Sequence, residues 1–467
     1  MDTQVIIVGA GPVGLMLAGE LRLGGAEAVV LERLPAPTTE SRASTLHART
    51  MEIFAQRGLL ERLGGPPPND LRGHFGGIPL DFSGLRTPYP GQWKVQQTRT
   101  EELLGGWAAE LGADVRRGYE VRALTQAADH VEVEADGPDG TVRLRARFVV
   151  GCDGEESTVR RLGGFAFPGE DAGRELLRAD VDGIEVPNRR FERLPDGLAI
   201  AARRPDGVTR VMVHEFGRPA AARAGDPDFA EVVKVWERVT GEDIGHGTPI
   251  WVNAFGDAAR QASEYRRGRV LLAGDAAHRQ LPAGGQALNL GLQDAVNLGW
   301  KLAAVVTGRA ADPLLDTYHE ERHAVGRRVL GNIRAQARIL LGGPEVEPLR
   351  AVLGELIDYP RVRDRLASTI SGLDVRYATG SGDHPLLGVR VPPDELGAGG
   401  EALRAARGLL LHPEPPDGPG PHDRVDVVRA IGRSEAVLVR PDGYVAWVAG
   451  TGTGLDAAVR RWFGDPR

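Results

Sequence analysis

Apolar runs and helical patterns alternate at the start of the chain. Residues 5–8 are continuously apolar, as in a strand buried on both faces, and residues 28–31 form a second such run. Between them, Leu15, Ala18 and Leu21 recur at helical spacing until Gly24 and Gly25 stop the pattern. The first 32 residues therefore predict a β-α-β unit of the Rossmann type.

A glycine fingerprint lies between the first strand and the helix. Gly9 allows the tight turn, Gly11 lets the backbone approach a pyrophosphate, and Gly14 permits close helix packing. Pro12 belongs to the same segment, and Glu32 ends the second strand 18 positions after Gly14, where its carboxylate can accept both ribose hydroxyls. The pattern predicts binding of an ADP moiety without separating NAD from FAD, while Glu32 disfavours the 2′-phosphate of NADP.

A second turn with phosphate-binding character occurs far downstream. The apolar run 269–273 predicts a strand that delivers Asp275 to the carboxyl edge of a sheet, where open α/β sheets bind ligands. A glycine-rich turn then leads into a helix with apolar residues at helical spacing. In a flavoenzyme, such a helix N-terminus can stabilise the N1–C2=O edge of reduced flavin. Taken alone, the turn is equally compatible with a purely geometric role. Its candidate binding residues are Pro282, Gly284, Gly285, Gln286, Ala287, Leu288 and Asn289.

Composition narrows the class of protein. With 467 residues and 42% hydrophobic content, the chain is long enough for about three domains. The net charge of −7 with interspersed signs argues against nucleic acid or an anionic membrane as a partner. Without a long apolar segment or a leader pattern, we expect a cytoplasmic protein. Cys152 is the single cysteine, so no disulfide, CxxC motif or metal site is predicted.

A third motif supports a family resemblance. Residues 148–150 predict a strand, followed by the sequence CDGEESTVR from Cys152 to Arg160. With GAGPVG and GDAAH…P…GGQ…N in the same order, the chain resembles the class A FAD-dependent aromatic hydroxylases, the group built like para-hydroxybenzoate hydroxylase. The resemblance implies bound FAD, with Asp153 near the pyrophosphate and NAD(P)H, and Asp275 and the second turn at the ribityl and isoalloxazine parts. It also places Arg33 and Val121 beside the adenosine and Gln97 and Arg42 beside the flavin.

The whole chain is similar to bacterial aromatic polyketide hydroxylases of the angucycline and anthracycline type. The segments NLGWKL from Asn297, YHEER from Tyr318 and DHPLLG from Asp383 are similar to segments of these enzymes. The resemblance implies an α/β fold with a Rossmann-like FAD-binding domain, a β-sheet substrate domain and a C-terminal thioredoxin-like domain, here lacking CxxC. We expect these domains at 1–172 with 258–390, including a central helical region, at 173–257 and at 391–467.

The elements predicted for the C-terminal residues agree with a separate domain at 391–467. Residues 392–400 predict a linker, residues 407–411 a strand, and residues 436–448 a hairpin before a final helix at 455–463.

The resemblance also implies the chemistry. NAD(P)H would bind transiently and reduce FAD, and O2 would give a C4a-hydroperoxide that transfers one oxygen atom to an aromatic polyketide. Baeyer–Villiger oxygenation of a polyketide ketone and a flavoprotein that binds an intermediate without oxygenating it are the alternatives. NADH or NADPH preference, the substrate, and a monomeric or homodimeric state are left open.

Residues 173–254 alternate short strand-like runs with turns and predict a sheet that roofs the flavin. Its expected apolar pocket gives the candidates for substrate contact, each equally compatible with a core position: Trp93, Met212, Phe216 and Trp251. Arg42, His74, Arg279 and His214 are the weak candidates for catalysis.

The second turn departs from the family pattern at two places. Ala287 stands where the family's GGQG has its last glycine, and its methyl group is expected to affect the position or mobility of the flavin. Arg279 adds a charge near the expected ring. Both are also compatible with tolerated variation.

Overall fold

The protein is described by a computed structural model covering residues 1–39, 43–223, 225–380, 382–415, 420–430 and 432–465. Arg42, one of the residues expected beside the flavin, lies outside the described residues. The first segment contains, in chain order, β1 (Thr3–Val8), α1 (Pro12–Leu23), β2 (Ala28–Glu32), β3 (Thr45–His47), α2 (Ala48–Gln56), β4 (Asn69–Asp70), β5 (Arg72–Phe75), β6 (Ile78–Asp81), β7 (Gln92–Lys94), α3 (Gln97–Glu110), β8 (Asp114–Arg117), β9 (Glu120–Gln126), β10 (Val131–Gly137), β11 (Gly140–Gly151), α4 (Thr158–Leu162) and β12 (Gly169–Glu170).

The middle segment contains β13 (Glu175–Asp182), β14 (Arg189–Leu194), β15 (Gly197–Arg203), β16 (Thr209–Glu215), α5 (Phe229–Thr240) and β17 (Thr248–Gly256). The chain continues with β18 (Ala259–Gln261), β19 (Arg266–Arg267), β20 (Val270–Leu272), β21 (His278–Arg279), α6 (Gln286–Val306), α7 (Asp316–Leu341), α8 (Glu347–Ile357) and α9 (Pro360–Ser371). The C-terminal part contains α10 (Gly400–Arg404), β22 (Gly408–His412), β23 (Val425–Arg429), β24 (Val437–Val439), β25 (Val445–Val448) and α11 (Leu455–Phe463).

The main sheet has the order β19-β20-β11-β1-β2-β8. β1 pairs in parallel with β2 and β11, and β11 pairs in parallel with β20. The predicted β-α-β unit is therefore confirmed, and β1 and β20 end at the same carboxyl edge with only β11 between them. This topology brings the turns that follow β1 and β20 to one side of the sheet.

A five-stranded antiparallel sheet of order β14-β15-β16-β13-β17 forms the predicted roof. One face is covered by α5, whose Val235 and Trp236 pack with Leu177 and Val213. The opposite face packs toward the second glycine turn through Leu281 and neighbouring residues. α5 is not among the elements predicted from the sequence, although its apolar residues follow helical spacing.

The C-terminal sheet has the order β23-β22-β24-β25, with β22 and β23 parallel and β22-β24 and β24-β25 antiparallel. This is the strand order of a thioredoxin-like sheet, and α11 follows its last strand as predicted. The expected linker at 392–400 is wrong in one respect, because Leu396 is buried and α10 begins at Gly400. The segment is packed against its domain and does not act as a free connection.

A buried ion-pair network fastens the C-terminal sheet to α6 and α7. We call it the docking network: Arg440 bonds Glu321 at 2.5 Å and Asp442 at 2.5 Å, and Lys301 bonds Glu321 at 2.9 Å. Burial disfavours the Glu321 carboxylate, but Arg440 and Lys301 outweigh it and lower its pKa to about 2. Arg49 adds a bond of 2.7 Å to the Asp442 carbonyl. Because these charged groups satisfy one another away from water, the contact between the two parts of the chain is specific in geometry.

No helix among the residues that the structure describes combines the length and the apolar character needed to cross a membrane.

Candidate active site

The first glycine turn is tightly packed except at Gly11. A Cβ atom on Gly9, which has φ of +104°, would lie 2.4 Å from the Cys152 carbonyl oxygen, and one on Gly14 would lie 2.0 Å from the Gly9 carbonyl oxygen. A Cβ on Gly11 would meet nothing within 4 Å. The turn therefore has open space at the N-terminus of α1, where helix N–H groups have no intrahelical partner and attract an anion.

Glu32 is bonded to the backbone of this turn. Its two carboxylate oxygens accept hydrogen bonds from the Ala10 and Leu34 N–H groups, both at 2.8 Å. A carboxylate has acceptor positions beyond these two, so a ribose contact is compatible with both bonds. Arg33 is exposed, and Val121 is buried in β9, close to the Tyr119 N–H that bonds the Glu32 carbonyl.

Asp153 in the third motif forms hydrogen bonds with the start of α4, the helix that follows it. Its carboxylate accepts hydrogen bonds from the Ser157 hydroxyl at 2.5 Å and from the Val159 N–H at 3.0 Å, and burial raises its pKa. The structure thus shows a local role that the sequence analysis did not foresee. Its expected contact with the pyrophosphate or NAD(P)H stays a prediction.

The second turn has a left-handed backbone at two successive residues. Gly284 has φ of +66° and Gly285 of +69°, and Gln286 begins α6. Ala287 is already inside the first helical turn and has no positive φ, so alanine causes no backbone strain there. An effect of its methyl group on the flavin stays a prediction.

Asn289 ties the second turn to the start of α2. Its Oδ1 accepts from the His47 N–H at 2.8 Å and the Thr50 hydroxyl at 2.7 Å, while its Nδ2 donates to the Thr45 and Gly285 carbonyls at 3.0 and 2.7 Å. All the usual hydrogen bonds of this amide are made within the protein. The side chain therefore positions the turn, and any bond from this residue to a cofactor would come from its backbone.

Several buried polar atoms at the second turn lack a partner within the described part of the chain. They are Nδ1 of His47, Nε2 of Gln286 and both amide atoms of Gln280. His47 donates from Nε2 to the Gly284 carbonyl at 2.7 Å, and burial lowers its pKa to about 4, so Nδ1 is an acceptor at neutral pH. Buried polar atoms normally have hydrogen-bond partners, so this cluster fits a polar ligand such as the flavin ring.

Val13 of the first glycine turn lies close to the two glycines that flank the second turn. A Cβ on Gly274 would lie 3.0 Å from Val13 Cγ2, and one on Gly291 would lie 2.7 Å from the same atom. Val13 belongs to the first turn of α1, while Gly274 and Gly291 precede and follow the second turn. Asp275, next to Gly274, is exposed at this edge of the sheet. The helix N-termini of both motifs therefore belong to one site.

A buried network of hydrogen bonds connects α6 to the residues that precede the second turn. Asp294 of α6 accepts from His278 Nε2 at 2.7 Å, from Arg322 Nε at 2.7 Å and from the Gly274 N–H at 3.2 Å. Arg322 also donates to the Tyr377 hydroxyl at 3.0 Å. Burial disfavours the Asp294 carboxylate, yet Arg322 and His278 outweigh it and keep its pKa below the usual value. This role of Asp294 is not among those predicted from the sequence, although it is the single acidic residue of a largely apolar helix.

Gln97 is the first residue of α3. Its Oε1 accepts from the Ala43 N–H at 3.3 Å and its Nε2 donates to Glu101 at 2.9 Å. These bonds fix the segment that follows Arg42. Contact of Gln97 with flavin stays a prediction.

The inner face of the roof presents the expected apolar surface. Met212, Phe216 and Phe255 are partly buried and pack with Leu281 and Leu290 beside the second turn. Met212 and Phe216 therefore lie on the face of the roof that packs toward the second turn, and their contact with substrate stays a prediction. Trp251 lies on β17, where its ring stacks under the Arg178 guanidinium at 3.9 Å from the ring centroid.

Three of the weak catalytic candidates have structural partners instead. His214 places Nδ1 2.8 Å from the Glu175 carbonyl and Nε2 3.0 Å from the Leu341 carbonyl, so both ring nitrogens are used. His74 is buried against Phe191, with ring centroids 3.9 Å apart, and its Nδ1 accepts from the Gly77 N–H. Arg279 forms ion pairs with Glu155 at 3.0 Å and Glu156 at 3.1 Å, which offset the charge expected near the ring.

Trp93 packs in a different apolar cluster from Met212 and Phe216. It lies in β7, donates from Nε1 to the Tyr89 carbonyl at 3.2 Å, and packs against the core of the main sheet. The apolar cluster beneath the roof does not include it. Its strand pairs with β3 and β4, and contact of Trp93 with substrate stays a prediction.

Comparison with known proteins identifies the family. Residues 2–332 match the family described as FAD binding domain, and residues 384–466 match the family described as aromatic-ring hydroxylase, C-terminal. The chain belongs to the FAD-dependent monooxygenases built from these two parts, and it is an enzyme of that class.

Its relatives include enzymes of Streptomyces species. It is 45% identical to a 12-dehydrotetracycline 5-monooxygenase/anhydrotetracycline 6-monooxygenase of Streptomyces rimosus, over 100% of both chains. The crystal structure of CabE, an aromatic hydroxylase from angucycline biosynthesis, is 52% identical and superposes with a TM-score of 0.94 over 100% of both chains. A dialkyldecalin synthase of Streptomyces rugosporus is 40% identical over 99% of both chains. The resemblance stated from three motifs is confirmed.

Proposed function

We propose that this enzyme inserts one oxygen atom from O2 into a polycyclic aromatic substrate, with NAD(P)H as the transient reductant. The observation that carries the proposal is the close approach of Val13, in the first glycine turn, to Gly274 and Gly291 on either side of the second turn. Leu281 and Leu290, also beside the second turn, pack with the apolar inner face of the roof. The N-terminus of α1 faces the open space at Gly11. The N-terminus of α6 lies beside buried polar atoms of His47, Gln280 and Gln286 that have no hydrogen-bond partner among the described residues. These features fit the two halves of FAD.

The cofactor residues would act as follows. The α1 N-terminus and Gly11 would hold the pyrophosphate, and Glu32 the ribose, with Arg33 and Val121 near the adenosine. Asp275, Gln97 and the backbone of residues 284–289 would hold the ribityl chain and ring. Bound FAD supplies hydride acceptance from NAD(P)H and activation of O2.

The protein would supply orientation and a dry site. Leu281, Leu290 and the inner face of the roof exclude water from one side of the second turn. The network of Asp294, His278 and Arg322 keeps the turn in place without any solvent contact of the three side chains. The division into domains at 1–172 with 258–390, 173–257 and 391–467 is part of the same proposal.

Purified holoenzyme tests the function directly. A polycyclic phenol such as anhydrotetracycline, NAD(P)H and 18O2 are expected to give a product with one labelled oxygen, and NMR should show a new phenol or alcohol. A labelled lactone would instead indicate Baeyer–Villiger chemistry. Conversion of substrate without reduction of the flavin or uptake of O2 would contradict the proposal and favour a non-oxygenating flavoprotein.

A further inference from the structure

An open groove lies between β7 and the loop 63–67. It has a volume of about 410 Å³, and its other walls are Lys94 at the end of β7 and Gln96 and Arg99 at the start of α3. This volume is in the range of sites that bind small organic molecules. The loop contributes leucine, glycine and proline, so none of the described residues that line the groove is acidic.

Lys94 connects the groove to the second glycine turn through Thr45. Its Nζ donates to Thr45 Oγ1 at 3.3 Å. The Thr45 carbonyl accepts from Asn289 Nδ2 at 3.0 Å, and Thr45 Cβ would lie 3.3 Å from a Cβ atom on Gly285. Lys94 is therefore separated by one residue from the turn that would hold the flavin ring.

Lys94 lies in a recess that solvent can enter. Its side chain is exposed, yet it is surrounded by enough protein that loss of solvation lowers its pKa. Burial is the main cause of the low pKa of His47, beside the second turn, and the Lys94 charge lowers that pKa further. The charge of Lys94 thus acts both in the groove and beside the proposed flavin site.

The charges around Lys94 sum to a positive value. Asp70 favours the charged form of Lys94, and Arg190 disfavours it. Asp70 is also bonded to Arg190 at 3.0 Å and to Arg72 at 3.2 Å. One carboxylate thus compensates three cations, so the region attracts an anion although Lys94 has an acidic neighbour.

The start of α3 adds hydrogen-bond donors to the groove. Its N-cap residue, Gln96, forms no side-chain cap bond, and the first N–H groups of a helix have no intrahelical partner. Arg99 pairs with Glu102 at 2.6 Å, so it contributes N–H groups and little net charge. Thr45 uses one of the three N–H groups of Lys94. Ammonium and helix N–H donors together suit a phosphate group.

The reductant of the proposed reaction needs a phosphate site. FAD would occupy the fingerprint between Gly9 and Gly14, so NAD(P)H has to bind elsewhere and still bring its nicotinamide to the flavin. Every nicotinamide dinucleotide carries a pyrophosphate, and NADPH carries a further phosphate. The groove is open to solvent, positive at Lys94 and close to the second turn.

We propose that the groove binds a phosphate group of NAD(P)H, with Lys94 as its principal contact, while the nicotinamide extends toward the second glycine turn. This inference rests on the proposed function, because it assigns a site to the reductant of that reaction. Lys94 binds the phosphate through an ion pair and hydrogen bonds, and no covalent bond changes at this side chain.

Anaerobic reduction of the holoenzyme flavin by NADPH separates binding from hydride transfer. The dependence of the reduction rate on NADPH concentration gives a dissociation constant and a limiting rate. Lys94→Met should raise the dissociation constant at least about fivefold, as loss of a charge-assisted hydrogen bond does, and should change the limiting rate less than about twofold. Lys94→Arg should retain most of the affinity, and Lys234→Met, at an exposed lysine of α5, should match the wild type.

Titration of oxidised holoenzyme with NADP⁺, followed by calorimetry, makes the same comparison without turnover. Inorganic phosphate should weaken NADP⁺ binding to the wild type more than to Lys94→Met, because it competes for the same donors. Retained FAD absorption in each variant shows that the fold is intact.

The outcomes separate this assignment from the proposed function. Equal dissociation constants in wild type and Lys94→Met, or failure of both dinucleotides to bind the wild type, would overturn the role of the groove. A lower limiting rate at unchanged affinity would also overturn it and would assign Lys94 to the flavin instead. NADP⁺ binding that depends on Lys94, together with no reduction of the flavin, would leave the groove assignment standing and overturn the oxygenase.

Discussion

The Asp294 carboxylate lies 2.7 Å from the Arg322 guanidinium, and neither side chain is exposed to solvent. Through the Gly274 N–H and His278, this pair reaches the turn that precedes Asp275. A charged pair inside the core thus determines the position of a loop at the proposed cofactor site.

Asp294→Asn should destabilise the enzyme and release FAD. The substitution removes the charge that compensates Arg322, and breaking a buried pair costs about 3–5 kcal/mol. Urea unfolding measures the loss of stability. The flavin absorbance of the filtrate after ultrafiltration measures the release of FAD. Asp316→Asn, at an acid 63% exposed and paired with Arg266, is the matched control and should change neither. Equal behaviour of the two variants would refute the supporting role of Asp294.

Gly11→Ala and Gly14→Ala should separate cofactor binding from folding. A methyl group at Gly11 meets no protein atom within 4 Å, and the residue has φ of −74°, so the apoprotein should keep its thermal stability. The same methyl would occupy the proposed pyrophosphate space, and FAD affinity should fall at least about tenfold, or ~1.4 kcal/mol. Gly14→Ala collides with the Gly9 carbonyl and should lower both apoprotein stability and FAD affinity. Unchanged FAD affinity in Gly11→Ala, measured by quenching of flavin fluorescence, would place the pyrophosphate elsewhere.

Removing Arg440 should detach the C-terminal sheet. Arg440→Met leaves Glu321 and Asp442 buried without their guanidinium, at a cost of about 3–5 kcal/mol. We expect a lower unfolding midpoint and faster proteolysis between residues 380 and 400. Arg460→Met, at an exposed position of α11, should match the wild type. Equal protease resistance of Arg440→Met and wild type would show that the docking network is dispensable.

Acid should destabilise the folded enzyme through buried histidines. Burial lowers the pKa of His74 to about 3 and that of His47 to about 4, against 6.5 when exposed. Between pH 6.5 and 4 the unfolded chain therefore binds protons that the folded chain does not, and stability falls by about 1.4 kcal/mol per pH unit for each histidine. His74→Gln should flatten this dependence in urea titrations with saturating FAD, whereas substitution of the exposed His246 should not. A His74→Gln slope identical to wild type would contradict the assignment.

Local elements could be predicted from the sequence, but several contacts could not. The run 5–8, the stop at Gly24 and the strand at 269–273 follow from apolar periodicity and glycine, and all three lie as expected. The meeting of Gly274 with Val13 depends on β20 pairing beside β11, which no local pattern encodes.

Side-chain roles were harder to predict for the same reason. His214 and Trp93 had the right chemistry for a pocket, yet their partners, the Leu341 and Tyr89 carbonyls, are determined by packing. Asp294 and Lys301 are charged residues within a largely apolar helix, and this pattern in the sequence indicates buried ion pairs. Their partners on α7 and in the C-terminal sheet could be assigned only from the fold.

The contact of Val13 with Gly274 and Gly291 also has a consequence for biosynthesis of the protein. The ribosome completes the first glycine turn more than 250 residues before Gly274 emerges. A nascent chain that ends before β20 lacks Asp275 and the second glycine turn of the proposed site, and both are added once β20 takes its place beside β11. Stable loading of the cofactor should therefore report that the distant halves of the chain have come together.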